Sequence, residues 1–253
     1  MEKINFFDDR LPGRRLMTYL RFLMFIPGHL HAFGRKPGRQ VLMRQIYFTT
    51  VEQLRRITAV AAVTGMVVIT QISQALGYDP ALIGKALLWL AVRELGPLIT
   101  AILVMSSSGA AITSELASMK INREFDALRT MGIDPMEYLV LPRMISAIAS
   151  VLLLNVYFQA AAILGGGALA SLWSGISFQQ HVLSVFSALT VFDMSLSMAK
   201  SLVFGMAVAA VACSHGALVG QSITDIPRAI IGAQMRALFI FFLSDGLISY
   251  MAL

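Results

Sequence analysis

Four ionisable side chains fall within or at the edge of long apolar stretches: Arg93, Glu94, Lys200 and Asp245. A charge facing lipid is expensive, so each must face a partner or a polar cavity. Two cations and two carboxylates suit the handling of a charged head group. They also suit mutual pairing that merely fixes helix packing. Adjacent residues on a helix point about 100° apart, so one neighbour on one face cannot satisfy both Arg93 and Glu94. Gly96-Pro97 loosens the backbone beside them. Intramembrane charge defaults to function, and the pathway reading is preferred on that ground. Among the four, Arg93 is best suited to a phosphate, because a guanidinium matches phosphate oxygens. Glu94 would then keep that cation from holding the anion too tightly.

Catalytic signatures are missing from the sequence. It contains no G-x-x-x-x-G-K-[ST] loop, no H-E-x-x-H and no G-x-S-x-G elbow. His29, His31, His181 and His215 are scattered without a ligand-like spacing. Cys213 is the only cysteine, which excludes a disulfide framework and a Cys-based metal site. The spans offer no paired nucleophile and base. The reading is a non-enzymatic chain with no catalytic residue, no metal site and no cofactor of its own.

The elements that must position these charges are membrane helices. The chain has 253 residues, 57% hydrophobic and only 13% charged, where a soluble domain is nearer a quarter charged. Runs of roughly 20 apolar residues, enough to cross a bilayer, recur at about 57–76, 81–111, 144–173, 198–218 and 231–253. Turn residues Gly77-Tyr78-Asp79-Pro80 separate the first two. A polar stretch over 115–143 and a mixed one over 174–197, with a short helix outside the bilayer, separate the next. A loop carrying Gln221, Asp225, Pro227 and Arg228 precedes the last. On this reading the protein is all-α, with five transmembrane helices in one membrane domain over 57–253.

Residues 1–56 form a basic amphipathic segment. Leu16, Leu20, Leu23 and Met24 share one helical face, Arg14, Arg15 and Arg21 mark polar positions, and Pro27-Gly28 ends the helix. A second helix over 41–56 places Leu42, Ile46, Val51 and Leu54 on one side. Both read as helices lying in the membrane interface. The net charge is +6, and eleven of the twenty Lys and Arg residues precede Ile57. That distribution fits an anionic membrane surface and argues against nucleic acid. With the N-terminus inside, Lys120, Arg123, Arg129, Arg143, Arg228 and Arg236 also fall on the cytoplasmic side, leaving only Lys85 and Lys200 outside. The positive-inside rule therefore predicts a cytoplasmic N-terminus and an external C-terminus. At about 1.5 Å per residue, Arg93 and Glu94 lie near mid-membrane, and Lys200 and Asp245 lie in its outer part.

The segment between spans two and three contains a short amphipathic helix. Phe125, Leu128 and Met131 form its apolar stripe, Gly132 is its C-cap, and Pro135 stops it. The sequence Arg93-Glu94-Leu95-Gly96-Pro97, then Gly109, Thr113, Glu115 and Met119, then Glu124 and Asp126-Ala127-Leu128, then Met131-Gly132 and Asp134-Pro135, resembles the signature of MlaE-type (YrbE-like) permeases. The resemblance runs from about Val41 to the C-terminus. It departs at Ser106-Ser107-Ser108-Gly109, where Ser107 replaces the family's usual arginine, and at Phe125 and Ala117.

The resemblance implies the transmembrane subunit of an ABC transporter moving phospholipid or a similar lipid between membranes. It implies a homodimer in the bacterial inner membrane, a separate ATPase subunit that binds ATP and Mg2+, and an MCE-domain substrate-binding protein. It further implies that 118–131 holds the coupling helix, with Glu124, Phe125, Asp126, Leu128 and Met131 touching the ATPase. Two other classes compete. A membrane scaffold leaves the mid-membrane charges unexplained. An ion-coupled carrier predicts inverted repeats, which five spans do not give.

Overall fold

The computed structural model describes residues 12–29, 36–76, 80–174, 177–220 and 222–252. Residues 77–79 of the expected turn, and His31, lie outside the described residues. The described chain is helical, without strands. It comprises α1 (Pro12–His29), α2 (Lys36–Leu76), α3 (Pro80–Leu87), α4 (Gly96–Val104), α5 (Ala110–Ile121), α6 (Glu124–Thr130), α7 (Leu141–Ser174), α8 (Phe178–Ala188), α9 (Val191–Ala217) and α10 (Asp225–Met251). Wider π-helical turns occupy Leu88–Leu95, Met105–Gly109 and Met136–Val140. Five stretches are long and apolar enough to cross a membrane: Leu42–Ala75, Leu82–Ile121, Met136–Leu172, Val191–Ala217 and Asp225–Met251.

Hydropathy located the spans, but the helices run past them. The helix expected over 41–56 and the first span are one element, α2, unbroken through Arg55 and Arg56. No proline interrupts it after Pro37, so nothing ends the hydrogen-bond ladder where the polarity changes. The boundary at residue 56 therefore falls inside a helix. The third span begins about eight residues early, at Met136, because Pro135 opens that helix and does not merely stop the one before. The Met136 N–H is capped by Asp134 Oδ1 at 2.9 Å. Asp225, Pro227 and Arg228, expected in a loop, form the first turn of α10, where a proline costs no hydrogen bond. Nor does Gly96-Pro97 break the second span. The Gly96 N–H bonds to Ala91 O, one residue beyond α-helical reach. This wider turn makes room for the Pro97 ring.

By contacts the chain divides into two units, each fed by all five spans. The first comprises Met1–Thr49, Val104–Ala149 and Gly205–Phe241. On α1 of this unit the buried side chains are Thr18 and Phe22, four residues apart, while Leu20 and Met24 of the expected apolar stripe are exposed. Gly216 of α9 sits so close to α5 that an added Cβ would lie 2.8 Å from the Thr113 carbonyl. Beside it the Thr113 hydroxyl donates to Ala212 O at 3.1 Å. Arg143 pairs with Glu115 at 3.2 Å.

The same unit carries α6. The Ile133 N–H bonds to Leu128 O and the Gly132 N–H to Arg129 O, both at 3.0 Å. Gly132 takes φ +77°, so α6 ends in a Schellman motif with glycine at the left-handed position. Arg123, before α6, holds φ 58° without being glycine, a sparsely populated conformation for a bulky residue.

The second unit comprises Thr50–Leu103, Ser150–Phe204 and Phe242–Leu253. Its core packs Val68, Ile69 and Ile72 against Ile83, Leu87, Leu88, Ala91, Val92, Ala170 and Val185. Helix α2 crosses α7 where Gly65 faces Ala162 and Gly166, so closely that a Cβ on Gly65 would overlap the Ala162 carbonyl. Small residues permit such an approach in membranes, where no hydrophobic drive holds helices together. The short helix α8 packs on α3, and its His181 is buried against Gly167. Neither His181 ring nitrogen makes a well-aligned hydrogen bond. Burial lowers the pKa of that ring from 6.5, and the nearby Ile163 carbonyl opposes part of the shift.

Candidate functional site

The second unit brings together the four charges singled out from sequence. Glu94 is placed by the π-helical turn Leu88–Leu95, Lys200 by the middle of α9, and Asp245 by the last third of α10. The Lys200 side chain is 0% exposed. Its ammonium donates to Glu94 Oε2 at 2.5 Å and to Ser249 Oγ at 2.7 Å. It also lies 2.9 Å from Asp245 Oδ1, at an angle that leaves this buried oxygen without a hydrogen bond. Ser249 Oγ lies 3.0 and 3.2 Å from the two Glu94 oxygens. Lys200 thus makes two hydrogen bonds, to Glu94 and Ser249, and Asp245 Oδ1 completes its surroundings as a close ion-pair partner.

Arg93 is placed differently. One Nη donates to the Ala252 carbonyl at 3.1 Å, and Nε stands 3.7 Å from Glu94 Oε1. Nε is buried without a hydrogen-bond partner. The guanidinium also lies over the Phe192 ring, 6.0 Å from its centroid. Two cations and two carboxylates make the cluster formally neutral. Within it the ammonium is enclosed by three protein oxygens and the guanidinium keeps spare donors. An anionic group meeting this cluster would be bound by Arg93, while Lys200 locks Glu94 and Asp245 in place.

Beside the charges lies a buried amide network that sequence reading missed. Asn155 Nδ2 and Gln159 Nε2 donate to Ser197 Oγ at 3.0 and 2.6 Å. The absence of a side chain at Gly96 admits Asn155, whose Oδ1 would lie 3.1 Å from a Cβ there. Asn155 and Gln159 stand four apart inside an apolar run, which places them on one face, and that spacing was a readable signal. Ser249 carried none, since a lone serine in a span is common. Among the described residues, no group of three His, Cys, Asp or Glu could hold a metal ion.

The residues expected to meet a partner lie in the first unit. Glu124, Asp126 and Met131 are exposed and Leu128 is half-buried. Phe125 is turned inward, 1% exposed, under the Lys120 ammonium at 5.7 Å. The expected stripe of Phe125, Leu128 and Met131 is thus split between the interior and the surface. Seven residues make two helical turns, too few to keep one face apolar while anchoring the helix.

Residues 42–251 match the family described as Permease MlaE. A probable ABC transporter permease protein of Synechocystis is 26% identical over 224 residues, covering 88% of this chain and 85% of that protein. A probable ABC transporter permease protein of Rickettsia typhi is 30% identical over 157 residues, 62% of this chain and 61% of that protein. The match thus spans about three fifths of the Rickettsia relative's length. The chloroplastic protein TRIGALACTOSYLDIACYLGLYCEROL 1 of Arabidopsis thaliana is 30% identical over 157 residues, 62% of this chain and 45% of that protein.

Proposed function

We propose, because this chain belongs to the MlaE permease family, that it is the membrane subunit of an ABC transporter moving phospholipid or a similar lipid between membranes. ATP and Mg2+ then act in a separate ATPase subunit, and an MCE-domain protein delivers or receives the lipid. Relatives named as probable ABC transporter permeases support the transporter reading. The relative named for trigalactosyldiacylglycerol supports a lipid cargo. The observation that carries the pathway reading is the division of labour between the two buried cations. Lys200 is enclosed by oxygens of Glu94, Ser249 and Asp245, whereas Arg93 Nε has no hydrogen-bond partner. A phosphodiester passing the cluster would meet the fork of Arg93 and leave again because Glu94 competes for it.

The charge bias supports an N-terminus in the cytoplasm and a C-terminus outside, with the chain in the bacterial inner membrane. The exposed charges of α6, Glu124 and Asp126, with Leu128 and Met131, would then dock the ATPase. Helix α10 offers the face for a second copy. Only 17% of its most apolar stretch is buried, against 39% to 67% in the other four spans. Met235, Phe239, Phe242 and Leu243 lie exposed along it. A twofold dimer buries one such self-complementary face.

The test is extraction of the tagged chain from its own cells in a mild detergent. A nucleotide-binding subunit and bound phospholipid should co-purify. A chain that emerges alone and free of lipid would overturn the proposal.

A further inference from the structure

Away from the four-charge cluster, the first unit holds a cavity of about 300 Å³. Its walls include Thr18 and Tyr19 of α1, Ser214 and His215 of α9, and Arg228 and Arg236 of α10. His215 Nδ1 stands 2.9 Å from the Val211 carbonyl, which can only accept. The proton therefore sits on Nδ1, and Nε2 is left as an acceptor. Arg236 Nη1 donates to that Nε2 at 2.7 Å. Tyr19 stacks on the other side, 6.1 Å between ring centroids and 23° between planes. The imidazole is held between a carbonyl and an aromatic ring, and it in turn fixes the plane of the guanidinium.

Arg236 is a half-buried cation of this wall. Among the described residues no carboxylate lies within 4 Å of its guanidinium. The one carboxylate in the cavity wall, Asp225, pairs instead with Arg228 at 3.9 Å. Among the described residues the half-buried guanidinium therefore lacks a carboxylate partner, beside the end of α9 and in the first half of α10. The orienting bond takes a single N–H, so the guanidinium keeps the two parallel donors that a tetrahedral oxyanion accepts.

We propose that this cavity binds a phosphate ester through Arg236, with His215 as a positioning residue and Tyr19, Thr18 and Ser214 as hydroxyl lining. The volume lies at the lower end of the range for small-molecule sites, roughly 300 to 1,000 Å³. It accommodates a phosphorylated head group and leaves acyl chains outside. The ligand is the phosphate of a lipid head or of a soluble phosphate.

The test uses the full chain purified in non-ionic detergent, without the ATPase, so that its failure and that of the transport reading remain distinguishable. Thermal unfolding is followed against added phosphatidylglycerol, against diacylglycerol with the same tails, and against inorganic phosphate in place of chloride at matched ionic strength. Wild type should be stabilised by phosphatidylglycerol over diacylglycerol, or by phosphate over chloride. Response to the lipid alone identifies a head-group site, and response to phosphate alone a soluble ligand. In either case Arg236→Gln should weaken the apparent affinity about tenfold. Arg236→Lys keeps the charge and loses the paired donors, and should weaken it by a smaller factor, which serves as the readout if the Gln variant does not fold. His215→Phe should fall between wild type and Arg236→Gln. No preference for phosphate in wild type, or a preference undiminished in both Arg236 variants, would overturn the proposal.

Discussion

Lys200 reaches Glu94 at 2.5 Å across 106 residues of sequence, with its own side chain entirely buried. Burying an ammonium is tolerable only because Glu94, Asp245 and Ser249 surround it. Replacing it by Lys200→Met keeps the volume and strands two carboxylates. Loss of one partner of a buried pair costs about 3–5 kcal/mol. Folded yield after extraction and the melting temperature should both drop sharply. The triple change Lys200→Met, Glu94→Gln, Asp245→Asn removes the stranded charges and should recover much of the stability. Equal melting of Lys200→Met and wild type would show that the ammonium does not hold the cluster.

The two kinds of residue on α6 should separate in mutants. Glu124 is exposed, so Glu124→Lys should insert and fold normally while losing ATPase association or lipid-stimulated hydrolysis. Phe125 is buried in the chain itself, so Phe125→Ala should cost about 3–5 kcal/mol of stability. Normal complex yield and hydrolysis in Glu124→Lys would remove α6 from the coupling role.

Acid sensitivity should trace in part to His181. The fold holds this buried ring neutral, with its pKa lowered from 6.5. As pH falls below about 6.5 the unfolded chain takes up the proton first, so stability is full above that value and declines toward the lowered folded pKa. Melting temperatures at pH 7.5 and 5.5 should differ more in wild type than in His181→Leu. Equal slopes would place the acid sensitivity elsewhere.

The proposed orientation rests on charge alone and is checked by reporters. An enzyme fused after Leu253 should be active only outside the cytoplasm, and one inserted beside Asn122 only inside. The reverse pattern would contradict the assignment of α6 to the ATPase side.

The existence of five spans was readable because each contains a long apolar run with very few charges. Their ends were not, since hydropathy reports where lipid is crossed and helix ends depend on breakers. Arg55 and Arg56 change polarity without breaking α2. Pro135 and Pro227 sit in first turns, where they are harmless, and Pro97 is absorbed by a π-helical turn. The four charges were each visible as expensive residues in apolar context. Their pairing was not, because Glu94, Lys200, Asp245 and Ser249 come from three elements far apart in sequence. The burial of Phe125 was hidden for a related reason: α6 is too short for periodicity to show which side faces the protein.

Arg93, with spare donors beside a Lys200 enclosed by protein oxygens, is the group proposed to meet the lipid phosphate. The most direct test is the double change Arg93→Gln with Glu94→Gln, which keeps size, removes one charge of each sign and leaves Lys200 with Asp245. Co-purified phospholipid per folded protein and melting temperature are measured on the same preparation. The account predicts a melting temperature within a few degrees of wild type and lipid occupancy lowered about tenfold. Unchanged lipid per folded protein with a large fall in melting temperature would contradict it and leave the cluster a packing device.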